Sequence, residues 1–309
     1  MELNSKIFVA GHNGMVGSAI VRKLKNEGYT NIITASHQEL DLTNQSRTYN
    51  YFKNEKPDYV FLAAAKVGGI MANNLYPAEY IYQNLMIETN VINSCFNFDV
   101  KKLLLLGSSC IYPRECPQPI KEEYLLSGYL EQTNDAYAIA KIAGIKMCQS
   151  YNKQYNTNYI SVMPTNLYGP NDSYHLENSH VFPAMIRKIH EAKVRGDKSI
   201  TLWGTGSPYR EFLHVYDLAD ACLFLMENYN QNEIINIGSG KDLTIKDLAL
   251  LMKKIIEFEG EIYFDSSKPD GTPKKLLDVS KLHSLGWNHT IELEEGIKET
   301  YKNYLTTLE

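Results

Sequence analysis

The 309-residue chain contains no run of about 18 consecutive apolar residues, the length a membrane-spanning helix requires. It contains no Cys-x-x-Cys pair either. Its five cysteines (95, 110, 116, 148 and 222) are scattered and odd in number, which argues against a disulfide framework or a structural zinc site and fits a reducing compartment. Nor is there a basic excess: 31 Lys+Arg against 36 Asp+Glu give a formal charge of −5, which offers no support for nonspecific nucleic-acid binding. Small anionic ligands stay open, since local basic groups outweigh a mild global charge. Met1 to Lys6 lead into a short strand-like run instead of a long apolar signal segment. The expectation is a cytoplasmic protein with neither membrane nor nucleic-acid partner and no metal. Repeats and low-complexity linkers are absent, and the length allows one large domain or two smaller ones.

Short apolar runs alternate with helical segments along the first half. Lys6–Ala10, Ile32–Ala35, Tyr59–Leu62, Leu103–Leu106 and Tyr159–Met163 read as strands. Helices are expected from the 11–17 turn to Glu27, near 44–54, from about Pro77 to Phe98 and around 135–155. That alternation predicts a doubly wound, Rossmann-like α/β domain with a parallel sheet over residues 1–164. Beyond Pro164 the alternation weakens. Helices near 180–195, 244–257 and 292–305 and strands at 201–203 and 234–238 suggest a smaller α/β lobe over 165–309, with some segments returning to the first domain.

Gly11-His12-Asn13-Gly14-Met15-Val16-Gly17 follows a strand and opens a helix. Glycines permit the tight turn and close phosphate approach, and helix N-terminal amides favour anions. The spacing is G-x-x-G-x-x-G, a weak signal alone, but the strand–turn–helix setting favours a dinucleotide over a plain structural turn. No acid occupies Thr34-Ala35-Ser36-His37 to take a ribose 2′-hydroxyl, which tilts the reading toward a 2′-phosphorylated cofactor contacted by Ser36 and His37. No arginine stands there to hold that phosphate. Asp41 either faces the adenine or caps a helix.

Tyr137 and Lys141 lie one helical turn apart, so a phenol and an ammonium share a face, an arrangement expected to acidify the hydroxyl. Tyr49 and Lys53 have the same spacing, so spacing alone does not choose between them. Ser108 or Ser109 could share a substrate oxygen, or cap a turn. Cys110 as a lone cysteine reads as packing, although its place two residues beyond Ser108 argues for chemistry; His180 reads equally as a cap or core histidine.

Gly11–Gly17, Ser108 and Tyr137/Lys141 together resemble the extended short-chain dehydrogenase/reductase family. The likeness runs nearly end to end, through Lys66-Val67-Gly68-Gly69-Ile70, Gly107–Pro113, Pro164–Pro170, Asn178-Ser179-His180-Val181, Arg210–Val215 and Ser267–Pro273. The Ser-Cys and Ser-His pieces are the specific ones. They are similar to the branch that acts on GDP-bound 4-keto sugars. The resemblance implies NADP(H), with Tyr137 as the acid, Ser108 orienting the carbonyl and Lys141 on the nicotinamide ribose. It also implies Cys110 as base and His180 as acid at C3 and C5 of the sugar, whose hydrogens the C4 ketone acidifies.

Leu106, Gly107, Pro164, Thr165, Asn166, Leu167 and His180 are implied along the cofactor. Lys188, Trp203, Arg210, Asp270 and Lys275 are implied along the substrate, Lys275 near its phosphates, with core packing an equal reading for Trp203. The expected reaction is 3,5-epimerisation and 4-reduction of GDP-4-dehydro-6-deoxy-D-mannose. A C4 reductase of another GDP-keto sugar, such as a 6-deoxy-heptose, is the alternative. Kinship further implies a homodimer joined through the helices near 77–98 and 135–155. The chain departs from some bacterial members, which carry arginine where Asn13 and His37 stand.

Overall fold

β1 (Ile7–Ala10) has every residue buried and runs through a glycine turn into α1 (Met15–Asn26); β2 (Ile32–Ile33) follows. The computed structural model describes residues 1–175 and 179–308, so Asn178 of the 178–181 motif lies outside the described residues. α2 (Gln45–Glu55) starts at Asn44, whose side chain accepts from the Arg47 N–H, and leads to β3 (Tyr59–Leu62). A short α3 (Ile70–Leu75) precedes the long α4 (Pro77–Asn97), which begins at a proline where no N–H donor is needed. β4 (Lys102–Leu106), a 3-10 turn at Ser109–Ile111, α5 (Asp135–Tyr155) and β5 (Tyr159–Pro164) complete the first half.

β6 (Asn166–Tyr168), α6 (Val181–Arg195), β7 (Ser199–Trp203) and β8 (Tyr209–His214) come next. They are followed by α7 (Val215–Asn228), β9 (Ile235–Ile237), β10 (Asp242–Thr244) and α8 (Ile245–Ile256). β11 (Glu261–Asp265), β12 (Lys274–Lys275), α9 (Ser280–Ser284) and α10 (Leu293–Thr306) end the chain. α7 has no counterpart in the sequence reading. No turn residue separates it from β8, so strand and helix run together in the sequence without a break.

Six parallel strands form the main sheet in the order β2-β1-β3-β4-β5-β9. Its strands are apolar on both faces because helices cover both. Ile7, Val9, Phe61, Leu104 and Val162 pack with α1 and α7 on one side. Phe8, Val60, Leu62, Leu105 and Met163 pack with α2, α4 and α5 on the other. Each such side chain contributes on the order of 1.5–3 kcal/mol on burial. The order reverses at β1, with β2 to one side and β3 to the other. A crevice therefore opens at the carboxyl ends of β1 and β3, where doubly wound sheets bind ligands.

A smaller sheet, β10-β8-β12 with β6 also paired to β8, and the pair β11-β7 belong to the second half, around a core containing Phe182, Ile186, Leu202, Phe212, Leu248 and Met252. Two elements return to the first sheet: β9 pairs with β5, and α7 packs against α1. Lys102 fastens that return. Its buried ammonium donates to the carbonyls of Leu225, Met226 and Tyr229 and to Asn230 Oδ1 at 3.2, 2.7, 2.6 and 2.9 Å, closing the C-terminal end of α7.

Candidate active site

The glycine turn at the crevice is tightly built. Gly11 has φ +87°, and a Cβ on Gly17 would stand 2.1 Å from the Gly11 carbonyl oxygen. No side chain caps α1 at Gly14 and no acid stands in its first turn, which suits an anion at that helix end. Among the described residues the buried His12 Nδ1 has no hydrogen-bond partner. These features fit a dinucleotide phosphate: backbone approaches closely where a side chain would block it. Asn13 sits in the turn, while Met15 and Val16 pack back against the sheet.

The adenosine end differs from expectation in detail. Ser36 is engaged by Glu39, whose Oε2 accepts from its N–H and hydroxyl, both at 2.8 Å. Glu39 carries no signal in the sequence because it lies six residues beyond the end of β2. Asp41 Oδ1 accepts from the Thr43 N–H and hydroxyl at 2.9 and 2.7 Å and so closes a local turn, while Asn44, not Asp41, caps α2. His37 extends into solvent with its Nδ1 3.9 Å from Asp41 Oδ1.

β4 delivers Leu106, Gly107 and Ser108 to the crevice. Ser108 Oγ accepts from the Cys110 N–H at 3.1 Å and so caps the 3-10 turn, while facing the Cys110 thiol and the Tyr137 phenol. Ser109 is buried. Cys110 faces Lys275, whose Nζ donates to Sγ at 3.4 Å. Burial pushes the thiol up, but the Lys275 ammonium, the Ser108 hydroxyl and the Arg210 charge outweigh it, and its pKa falls below the ordinary thiol value. Lys275 thus stands at the thiol, whereas the family resemblance implies it near the substrate phosphates.

Tyr137 lies near the start of α5, its ring edge-on to Tyr80 with centroids 6.5 Å apart. The Lys141 ammonium is 5.9 Å from that ring. The expected acidification of the phenol is corrected here: burial raises its pKa more than Lys141 lowers it, and the Cys110 and Glu88 charges add to the rise. Lys141 is buried, donates to the Leu106 carbonyl at 2.9 Å and pairs with Glu88 Oε1 at 2.9 Å. Burial alone would lower the ammonium; Glu88 and Tyr137 hold it above its ordinary value. Glu88 is pushed up by burial, against the pull of Lys141. Tyr49, which shares the Tyr/Lys spacing, is an exposed α2 residue against Phe98.

His180 is exposed at the entry to α6 and makes no side-chain cap. Desolvation in the cleft and then the Lys275 charge lower its pKa, so it opens on the same cleft as the Lys275–Cys110 pair. It lines an open cavity of about 520 Å³ with Lys66, Gly68, Tyr80, Asp172 and Ser179. A second, much smaller cavity touches Cys110 and Lys275 and is walled by Glu131, Asn134 and Thr272. Asp172, Glu131 and Asn134 were not anticipated; each stands in a stretch whose polar residues read as ordinary loop.

Pro164 ends β5 and pairs with Ile237, and Leu167 pairs with Leu213. The Thr165 hydroxyl and Asn166 amide donate to the Glu211 carbonyl at 3.2 and 2.8 Å. Trp203 is 42% exposed, which rules out its core reading, and has the Lys188 and Lys268 ammonium groups 5.2 and 5.5 Å from its ring. Arg210 donates to the Tyr209 and Asp270 carbonyls at 2.8 and 3.2 Å. The Asp270 carboxylate is taken by the Thr205 N–H and hydroxyl at 2.8 and 2.7 Å, holding the loop beside Trp203. Among the described residues no group of three or more His, Cys, Asp and Glu is arranged to hold a metal, and no helix is long and apolar enough to cross a membrane.

Comparison with known proteins adds the lineage. The sequence model of the NAD dependent epimerase/dehydratase family matches residues 7–238. The chain is 60% identical over 305 residues to a protein named putative GDP-L-fucose synthase 2 from Arabidopsis thaliana, covering 99% of this chain and 93% of that one. It is 52% identical over 309 residues to the GDP-L-fucose synthase of Escherichia coli K12, covering 97% and 96%. Among solved structures, a GDP-mannoheptose C4 reductase from Campylobacter jejuni with NADP bound superposes with a TM-score of 0.91 at 44% identity, covering 99% of each chain.

Proposed function

The chain belongs to the NAD dependent epimerase/dehydratase family, and we propose that it converts GDP-4-dehydro-6-deoxy-D-mannose to GDP-L-fucose with NADPH, inverting C3 and C5 before reducing C4. One observation carries this reading: the Ser108 hydroxyl faces both the Tyr137 phenol and the Cys110 thiol, so a carbonyl acid and a carbon base serve one cleft. On this reading Gly11–Gly17 cradle the pyrophosphate and Lys141 holds the nicotinamide ribose. When bound, NADPH supplies the hydride for C4.

The residues of the chain account for the proton movements. The Cys110 thiol, made easier to ionise by the Lys275 ammonium, removes a proton next to the C4 ketone. His180, across the cleft, returns a proton to the opposite face, and two such exchanges invert C3 and C5. Ser108 orients the ketone and Tyr137 protonates the oxygen at C4. Lys188, Trp203 and Arg210 face the nucleotide-sugar, with Arg210 suited to a phosphate pair and Trp203 offering an exposed ring. Residues 1–164 bind the dinucleotide and 165–309 form the substrate lobe, with α7 and β9 returning. Exposed Tyr82, Ile139 and Tyr155 on α4 and α5 support a homodimer through those helices. The protein works in the cytoplasm on a GDP-sugar, with no nucleic-acid or membrane partner.

Incubation of protein, keto sugar and NADPH in deuterated water, followed by NMR of the product, tests the assignment. Deuterium at C3 and C5 with stoichiometric loss of NADPH absorbance is expected. Absence of deuterium removes the epimerase half, and unchanged absorbance removes the reductase half. The likeness to a GDP-mannoheptose C4 reductase supports a second reading, reduction of a GDP-keto-heptose without inversion. Faster turnover of the heptose than the hexose would favour it.

A further inference from the structure

Glu88 has no part in the reaction as described, yet the α4/α5 contact is built around it. Its carboxylate is 1% exposed, 2.9 Å from the Lys141 ammonium, itself buried, and has no other hydrogen-bond partner among the described residues. Gly144, one turn beyond Lys141, leaves the room it occupies: a Cβ there would stand 2.3 Å from Glu88 Oε2. An isolated carboxylate in so dry a place is costly, and it endures only because the ammonium is there. Among the described residues Lys141 has one other acceptor, the Leu106 carbonyl, so its charge is shared between Glu88 and the phenol beside it.

We propose that Glu88 is a positioning residue: it fixes the Lys141 ammonium between α4 and β4 and offsets its charge, so that Tyr137 rests as a loaded phenol. The inference rests on the reading of Tyr137 as the proton donor to C4. An unopposed ammonium at this distance favours phenolate, the form that accepts a proton from an alcohol. A carboxylate behind the ammonium cancels much of that field at the phenol, since both charges lie in the same low-dielectric interior. The enzyme is thereby biased toward ketone reduction. The other groups facing this trio are Cys110 and Ser108 from the turn after β4, Tyr80 from α4 and Cys148 from α5. The Cys148 thiol is pushed up to about 12 by its burial, so it stays neutral and leaves Glu88 as the counter-charge.

The test is a titration of Tyr137 in coenzyme-free protein, read as the phenolate absorbance that Tyr137→Phe removes. In the wild type Tyr137 should titrate above the value of about 10 for free tyrosine. In Glu88→Gln it should titrate roughly one pH unit lower or more, with the alkaline limb of C4 reduction moving by the same amount and Glu88→Asp restoring part of the shift. Gly144→Ala, which pushes the carboxylate aside, should shift it in the same direction. A wild-type titration below free tyrosine overturns the inference, as do superimposable titrations in wild type and folded Glu88→Gln. Because the titration needs no turnover, it stands or falls separately from the substrate assignment.

Discussion

The Lys275 ammonium stands 3.4 Å from the Cys110 sulfur, joining a lysine of β12 to a turn 165 residues earlier in the chain. This pair makes Cys110 the reactive thiol of the protein. Cys95, Cys148 and Cys222 are buried, and burial raises the Cys116 thiol. Lys275→Met should therefore slow alkylation of Cys110 at pH 7 by about tenfold or more, moving its pH–rate profile upward. Mass-spectrometric timing of iodoacetamide labelling checks this; unchanged labelling would show that the lysine does not set thiolate character.

The two halves of the reaction should separate by mutation. Tyr137→Phe should lower C4 reduction roughly 100- to 10,000-fold while leaving deuterium exchange at C3 and C5. Cys110→Ser should abolish that exchange. Loss of both activities in a folded Tyr137→Phe protein would contradict the division of labour.

Gly17→Ala should cut NADPH affinity roughly tenfold or more, because the new methyl collides with the Gly11 carbonyl and displaces the turn. A fluorescence titration with NADPH measures it. Far-UV circular dichroism should remain that of the native fold.

Lys102→Met leaves three carbonyls at the end of α7 and Asn230 Oδ1 without their donor. A loss of about 2–4 kcal/mol in stability is expected. The urea midpoint should fall with the slope unchanged. A wild-type midpoint would mean that water replaces the ammonium freely.

Burial pushes the Asp172 carboxyl from 3.8 up to about 7, against the pull of the Ser173 N–H that it accepts at 2.8 Å. Between those values the folded protein holds a proton that the unfolded chain has lost. Stability therefore falls as pH rises from about 4 to about 7 on account of this group, and its contribution is flat above. Asp172→Asn should raise the melting temperature more at pH 8 than at pH 4. An equal change at both pH values would refute a buried, protonated carboxyl.

Much of the nucleotide end is legible locally. The glycine turn is a contiguous segment between a strand and a helix, and Tyr137/Lys141 sit one turn apart on α5, so chain order alone places them. Lys275 and Glu88 are different. Each meets its partner through tertiary packing, across the second lobe or between two long helices, and no periodicity encodes that. The direction of the Tyr137 shift is hidden from the sequence for the same reason, since burial and the charge behind Lys141 exist only after α4 meets α5. Trp203 shows the limit for single aromatics: its exposure depends on how β7 pairs with β11, which its neighbours in sequence do not reveal.

The sixth strand, β9, arrives more than 70 residues after the fifth (164 to 235), once α6, β8 and α7 have been made. While the chain is leaving the ribosome, the hydrogen-bonding rim of β5 thus waits without its neighbour through the synthesis of about 70 intervening residues, and the rest of the second lobe follows later still. A bare rim of that kind invites pairing with other nascent chains. Truncation before residue 235 should consequently yield aggregate instead of a free-standing nucleotide half, and the two lobes are committed to folding as one unit.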